Sequence, residues 1–301
     1  MYHSFIQYVK RIKGAIKITL SEAWDLFEAD KHFEYSKVTM AGYKIQIKNL
    51  LIRWLGDRPV DEITMTDLKQ YLVAQKHLKA SSLAHRVRVV KAFFGWIRDE
   101  GYIAVNPARK LKEPKQPKLI PKAIGEDDLE MIRESCTVPR ERALIEFLYS
   151  TGCRIGEVVQ LNRNAIDWET RSVVVFGKGS KEREIYFNIK CAIWLKRYLK
   201  SRKDADVALF VTERKYNGQP RRLSISQMRT VVKNVAGRAG LGEVNVYPHK
   251  LRHSYATHLL NNGAPLEGIQ SLLGHAKLET TRIYADLSGP RRRDLYQKYF
   301  R

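Results

Sequence analysis

SVVVFGKGSKEREIYF, residues 172–187, decides the fold class. SVVVF and REIYF are short runs rich in β-branched and aromatic residues, and the connection between them, GKGSKE, carries two glycines. Two such runs about a glycine-containing connection read as a β-hairpin. On both sides of it the apolar residues recur at helical spacing. The expectation is a mainly α chain with one small antiparallel β-sheet.

Downstream, the spacing predicts helices over 189–202, 224–239, 249–261, 265–273 and 277–286. Upstream, 140–150 reads as a helix, and Glu126, Asp127 and Asp128 fit the first turn of another, where negative charge meets the positive end of the helix dipole. The first hundred residues read as four helices. SEAWDLFEAD (21–30) is the first. In the second, Met40, Tyr43, Ile47, Leu50, Leu51 and Trp54 share an apolar face, and Gly56 follows as a stop. Thr66 precedes the third, DLKQYLVAQK, with Leu68, Tyr71 and Leu72 on one side. Ser82 opens the fourth, in which Leu83, Val87, Val90, Phe94 and Ile97 share a face, and Gly101 ends it. The opposite face of that helix carries His85, Arg86, Arg88, Lys91 and Arg98, a basic surface.

Residues 107–122, PARKLKEPKQPKLIPK, differ from both flanks. Four prolines break any helix and much of the rest is lysine, which reads as an extended, semi-rigid basic linker. The expected organisation is a helical domain over 1–106, the linker over 107–122 and a second domain over 123–301, with 285–301 as its tail.

Over 301 residues the chain carries 54 Lys+Arg against 32 Asp+Glu, a formal net charge of +22. The excess divides evenly between 1–122 and 123–301. Lysine and arginine on a face replace the counterions condensed along phosphates, so a polyanion is the simplest partner. Two equally basic domains suit a clamp around a duplex better than one domain with a basic tail. Charge alone leaves RNA and an anionic membrane open. The three cysteines, Cys136, Cys153 and Cys191, show no CxxC spacing, so neither a zinc site nor a disulfide framework is expected. No apolar run approaches the roughly 18 residues of a membrane span, and a cytoplasmic protein is the expectation.

The residues able to carry chemistry are scattered. Arg154 in STGCRIGEVVQL (150–161) stands at a helix start among small residues, where its fork can face an anion. Lys178 lies between two glycines at the hairpin tip. His249 and Arg252, in YPHKLRHSYATHLL (247–260), are three apart and share a helix face. His253 and His258 read as packing or backbone-satisfying residues. His275 follows an apolar helix and a glycine, and Tyr284 comes nine residues later in KLETTRIYADL (277–287). One tyrosine among fifteen is ordinarily a core residue.

Taken together, the set meets one chemical need. Cleaving a phosphodiester without a metal requires cations and imidazoles to stabilise charge on the non-bridging oxygens. It requires a nucleophile, and a tyrosine with an ordinary pKa near 10 must lose its proton to a neighbour. It requires a general acid for the leaving hydroxyl, which Lys178 on a turn can supply. No Asp/Glu cluster with metal-ligand spacing competes with this reading, and neither metal nor cofactor is expected.

STGCRIGEVVQL, HKLRHSYATHLLNNG (249–263) and LLGHAKLETTRIYA (272–285), with GKGSKER (177–183) as a weaker fourth, stand in an order and at spacings that resemble the tyrosine recombinase (phage integrase) family in its two-domain Xer-like or transposon-resolvase-like form. The resemblance implies an N-terminal four-helix SAM-like core-binding domain and a C-terminal α+β catalytic domain. It implies that Arg154 is the first catalytic arginine, Glu157 an accessory acid, Lys178 the acid for the leaving 5′-oxygen, His249 and Arg252 the H-x-x-R pair, His275 a transition-state donor and Tyr284 the nucleophile. It further implies cleavage and rejoining through a 3′-phosphotyrosyl link and a Holliday junction, without ATP. The partner would be double-stranded DNA with a near-palindromic core site, held by a homotetramer on two sites through the C-terminal tail. Arg86, Arg88, Lys91, Lys110, Lys112 and Lys115 are the candidate DNA contacts. A partner recombinase, accessory DNA-binding proteins, and the choice among integration, excision and resolution stay open. Two rivals also stay open: a type IB topoisomerase with related chemistry, and a DNA-binding protein whose constellation is vestigial. The H-x-x-R pair and the small helical N-terminal domain favour a recombinase.

Overall fold

The computed structural model describes residues 17–115, 123–177, 182–214, 218–242 and 246–274. The chain divides into two compact units, Met1–Lys118 and Leu119–Arg301.

In the first unit, α1 (Leu20–Asp30) opens on a capping box. The Thr19 hydroxyl accepts from the Glu22 N–H, and the Glu22 carboxylate accepts from the Thr19 N–H at 2.8 Å. That pairing satisfies two of the donors a helix start leaves without partners. Leu20, Ala23, Trp24 and Phe27, one helical stripe, are buried. A continuous helical stretch follows as α2 (Lys37–Lys44), a π-helix over Ile45–Ile52 and a last turn, α3 (Arg53–Leu55). The wider π turn rotates the apolar face relative to a plain α-helix. Ile47, Leu51 and Ile52 are therefore the buried residues, while Trp54, expected on the core face, stays 42% exposed against the Tyr71 ring. α4 (Met65–Ala74) starts earlier than expected: Thr64, not Thr66, is the cap, because Asp67 reaches back to the Thr64 N–H at 2.8 Å. α5 (Ala80–Asp99) runs through the middle of this core. Phe27 meets Phe93 and Trp96 edge-on at ring separations of 5.5 and 5.3 Å.

Two expectations about the basic residues change here. Arg86 does not face outward. It is 8% exposed, donates from Nε to the Gln46 side chain at 3.1 Å and lies over the Tyr71 ring. A buried guanidinium so placed is a packing element of the core and cannot meet a phosphate on the surface. The start of the expected linker also differs. Ala108 and Leu111 are buried in the core of the first unit, and Lys91 Nζ donates to the Leu111 carbonyl at 3.2 Å. Arg88 pairs with Glu113 at 3.5 Å. Residues 107–113 are therefore held against α5 by packing and by the same cations that were expected to face phosphates.

The second unit begins with α6 (Glu126–Glu134), whose first turn holds Glu126, Asp127 and Asp128. α7 (Pro139–Thr151) is its central helix, burying Ala143, Leu144, Ile145, Phe147 and Leu148. α8 (Ile155–Gln160) follows a tight turn. β1 (Ser172–Phe176) and β2 (Glu182–Tyr186) pair antiparallel with Val175 opposite Arg183 and Val173 opposite Ile185. Side chains alternate across a strand, so Val173, Val175 and Ile185 enter the core, with Arg183 on the same row. α9 (Ile189–Ser201) packs along α7, followed by α10 (Ile225–Arg238), α11 (Pro248–Asn261) and α12 (Leu266–Leu273). α11 also packs on α7 and on α12. Among the described residues the architecture is mainly α with one two-stranded antiparallel sheet. No described helix is long and apolar enough to cross a membrane.

Candidate active site

The site begins where α7 stops. Gly152 takes a left-handed conformation at φ 59°, ψ 20°. A Cβ there would lie 2.3 Å from the Tyr255 ring, so the turn needs glycine for conformation and for space. The Thr151 hydroxyl braces the turn, donating to the Phe147 carbonyl at 2.6 Å and accepting from the Cys153 N–H at 3.2 Å. Two residues after Gly152, Arg154 becomes the N-cap of α8.

Glu157, one turn into α8, has a side chain only 5% exposed. Its carboxylate accepts from the Arg154 N–H at 2.8 Å and from Arg154 Nη1 at 3.0 Å. It also accepts both Nη groups of Arg183 at 2.8 Å, a bidentate pair. Burial pushes the Glu157 carboxyl up, but Arg183, the Arg154 N–H and the Arg154 guanidinium outweigh burial and hold it below its ordinary value of 4.5. The acid is ionised and spoken for on both oxygens.

α12 supplies the opposite wall. Its last carbonyls have no partners within the helix and carry the negative end of its dipole. Three successive carbonyls accept from three arginines: Leu272 from Arg183 Nε at 3.3 Å, Leu273 from Arg252 Nη2 at 2.8 Å and Gly274 from Arg154 Nη2 at 3.1 Å. Gly274 ends the helix at φ 64°, and a Cβ on it would meet Arg183 Cδ at 2.8 Å. Arg252, 4% exposed, donates its other Nη to the Gly152 carbonyl at 2.6 Å.

His249 and Arg252 stand one turn apart on α11, which Pro248 opens. The His249 pKa is held below its ordinary 6.5 by desolvation and by the cations of Arg252, Arg229 and Arg154. The result is a pole of positive charge with a neutral imidazole at its mouth. Such a pole stabilises an oxyanion or a phosphate. His258 stays apart from it: it lies 4.0 Å from Glu126 and edge-on to the Tyr149 ring. His253 adjoins it, and burial together with the charges of His249 and Arg252 holds its pKa below its ordinary 6.5.

The structure thus brings Arg154, Glu157, His249 and Arg252 together. Lys178, His275 and Tyr284 lie outside the described residues. Of the other candidates, Lys110, Lys112 and Lys115 are exposed on the first unit. Arg183 and Arg229 were not anticipated from sequence. For Arg183 a signal existed: it shares the inward parity of Ile185, and a charge on an inward row needs a buried partner of opposite sign. Arg229 is an exposed α10 residue without a distinguishing pattern. Among the described residues no cluster of His, Cys, Asp or Glu could hold a metal ion.

Residues 123–289 match the model of the phage integrase family. A tyrosine recombinase, XerC, of Shigella flexneri is 32% identical over 266 residues, covering 84% of this chain and 87% of the relative. The crystal structure of XerA recombinase is similar at 26% identity and a TM-score of 0.54, covering 94% of this chain and 98% of that one. A lambda integrase dimer bound to a COC′ core site matches in fold at 20% identity and a TM-score of 0.76, covering 93% of this chain and 81% of that one.

Proposed function

The chain belongs to the phage integrase family and is a tyrosine recombinase that cleaves and rejoins DNA site-specifically, and from that premise we propose the role of each residue in its site. The observation that carries the proposal is the convergence of Arg154 and Arg252, each fixed by hydrogen bonds, beside His249 on one positive pole. The scissile phosphate binds there, with Arg154, Arg252, His249 and His275 stabilising charge on its non-bridging oxygens. The Tyr284 oxygen, its proton given to a neighbour, attacks phosphorus. The bond from phosphorus to the 5′-oxygen breaks, and Lys178 protonates that oxygen. The product is a 3′-phosphotyrosyl link and a free 5′-hydroxyl. Attack by the 5′-hydroxyl of the partner strand reverses the steps and returns the tyrosine. The phosphotyrosyl bond conserves the energy of the broken one, so the cycle consumes no ATP.

The DNA partner is a duplex with a near-palindromic core, and four protomers hold two such sites in the cytoplasm, exchanging one strand pair at a time through a Holliday junction. The family membership and the +22 net charge support the duplex. The tail 285–301, with Leu295, Tyr296, Tyr299 and Phe300, docks on a neighbouring protomer. Deleting 290–301 tests this, and unchanged cooperativity of DNA binding would remove it.

Covalent trapping tests the chemistry. The protein and its Tyr284→Phe variant are incubated with nicked fragments of host and mobile-element DNA and quenched in detergent, and the attached DNA is sequenced. A shared near-palindromic sequence, absent with the variant, is the expected result. Trapping with no shared sequence would point to a topoisomerase, and tight binding with no trapping to a DNA-binding protein.

A further inference from the structure

Arg183 lies within the cluster, yet the proposed chemistry assigns it no task, and it is firmly anchored there. Its side chain is 13% exposed, against 37% for Arg154. It uses both Nη groups on Glu157 and its Nε on Leu272. A carboxylate offers about four lone-pair directions, and those of Glu157 go to two donors of Arg154 and two of Arg183.

We propose that Arg183 is a positioning residue for strand cleavage: by holding Glu157 from behind and the end of α12 from below, it fixes where the Arg154 guanidinium points and leaves its charge available to the phosphate. The inference rests on the reading of Arg154 as a phosphate-binding residue. Without Arg183, the buried Glu157 keeps Arg154 as its cationic hydrogen-bond partner among the described residues. A fork and a carboxylate close into a bidentate pair when nothing competes. Arg154 would then turn further onto Glu157, and the acid would neutralise the charge meant for the phosphate. With Arg183 present, the one negative charge is shared between two guanidiniums, and the cluster of Arg154, Arg183, Arg252 and Glu157 keeps a net positive charge. The same side chain joins β2 to the last turn of α12, so it also sets the spacing between the hairpin strand and the helix whose Gly274 carbonyl steadies Arg154. Gly274 is fitted to this arrangement, since any Cβ there would strike the Arg183 side chain.

The experiment compares the full-length protein with Arg183→Gln, Arg183→Lys, Glu157→Gln and the Glu157→Gln/Arg183→Gln pair. The DNA is the sequence recovered by covalent trapping. Arg183→Gln is expected to slow formation of the covalent complex on the order of a hundredfold, the scale of a misplaced reacting group, with DNA affinity within about threefold of wild type because the Arg183 donors are committed to Glu157 and Leu272. Arg183→Lys restores charge without the fork and should recover only part of the rate. In the Glu157→Gln background, where no acid competes for Arg154, loss of Arg183 should cost less than about threefold. A substrate with a neutral methylphosphonate at the scissile position needs less positive charge, so the Arg183→Gln defect should shrink on it; a defect from poor folding would not. The double variant removes the buried pair together, which keeps the test alive if Arg183→Gln alone folds poorly. A second reading needs no DNA: the Arg154 side-chain NMR signal should shift in Arg183→Gln. A wild-type cleavage rate for Arg183→Gln, an undiminished Arg183 effect in the Glu157→Gln background, or an unmoved Arg154 signal would each overturn the proposal. A wild type that forms no covalent complex sinks the recombinase chemistry instead, and the Arg154 signal alone then decides this inference.

Discussion

Arg252 Nη1 donates to the carbonyl oxygen of Gly152 at 2.6 Å, across a hundred residues of sequence. That bond fastens α11 to the turn that delivers Arg154, while Nη2 fastens it to Leu273. A lysine has no fork to reach both carbonyls. Arg252→Lys is expected to lower stability by about 1–3 kcal/mol, the cost of leaving buried polar groups without partners, and to abolish covalent trapping. A thermal melt and the trapping assay check the two effects. An unchanged melting temperature would mean that neither carbonyl bond matters.

Gly152→Ala should be among the most damaging small substitutions in the second unit. The left-handed backbone and the collision with the Tyr255 ring together predict a loss of about 2–4 kcal/mol. Trimming the ring with Tyr255→Leu in the same chain should recover part of that loss, because the two positions touch. Denaturant unfolding of the two single variants and the double variant measures the coupling. Strictly additive losses would contradict it.

Glu157 links stability to acid. Its folded pKa lies below its ordinary value of 4.5, so its contribution is fully present above 4.5 and disappears as pH falls through the lower, folded value. Glu157→Gln should flatten that part of the acid limb of the stability curve. Parallel curves for the two proteins below pH 4.5 would refute the assignment.

His249 titrates in the opposite sense to a salt-bridged histidine. Its folded pKa is below 6.5, so protonation as pH falls below 6.5 costs stability instead of adding it. NMR titration of the free protein should place its midpoint below 6.5, and a bound phosphate should raise it, because an anion favours the charged ring. A midpoint above 6.5 without DNA would remove the three cations from the account.

The two classes of basic residue in the first unit should separate by salt dependence. Replacing exposed Lys110, Lys112 and Lys115 by Gln should reduce the slope of log affinity against log salt by about 0.9 for each phosphate no longer neutralised. Arg86→Gln should leave that slope alone and instead cost about 1–3 kcal/mol of stability, since Arg86 is buried against Gln46 and Tyr71. A slope change with Arg86→Gln would restore it as a surface residue that meets DNA.

What was legible in the sequence is what depends on local period and spacing. The helix over 21–30, the acidic first turn at Glu126 and the hairpin of 172–176 with 182–186 follow from neighbours within a few residues. So does the shared face of His249 and Arg252. The π-helix over Ile45–Ile52 was not legible, because the spacing of its apolar residues fits an α-helix as well and packing makes the choice. The inward turn of Arg86 depends on Gln46, forty residues away. The burial of Ala108 and Leu111 was hidden by a composition that reads as linker. In the site, Arg154 meets Gly274 and Arg183 meets Leu272 over separations of 120 and 89 residues, and backbone carbonyls leave no trace in composition.

Those three bonded carbonyls also draw a boundary. With Leu272, Leu273 and Gly274 each tied to a different arginine, the chain beyond them departs from a stationary point. Tyr284 is ten residues further on, so its Cα lies inside a sphere of radius about 33–36 Å centred on Gly274, whatever path the chain takes. Any assembly in which one copy lends its tyrosine to another must therefore fit two arginine clusters within that radius plus one side chain, a limit that can be laid on candidate DNA geometries with a ruler.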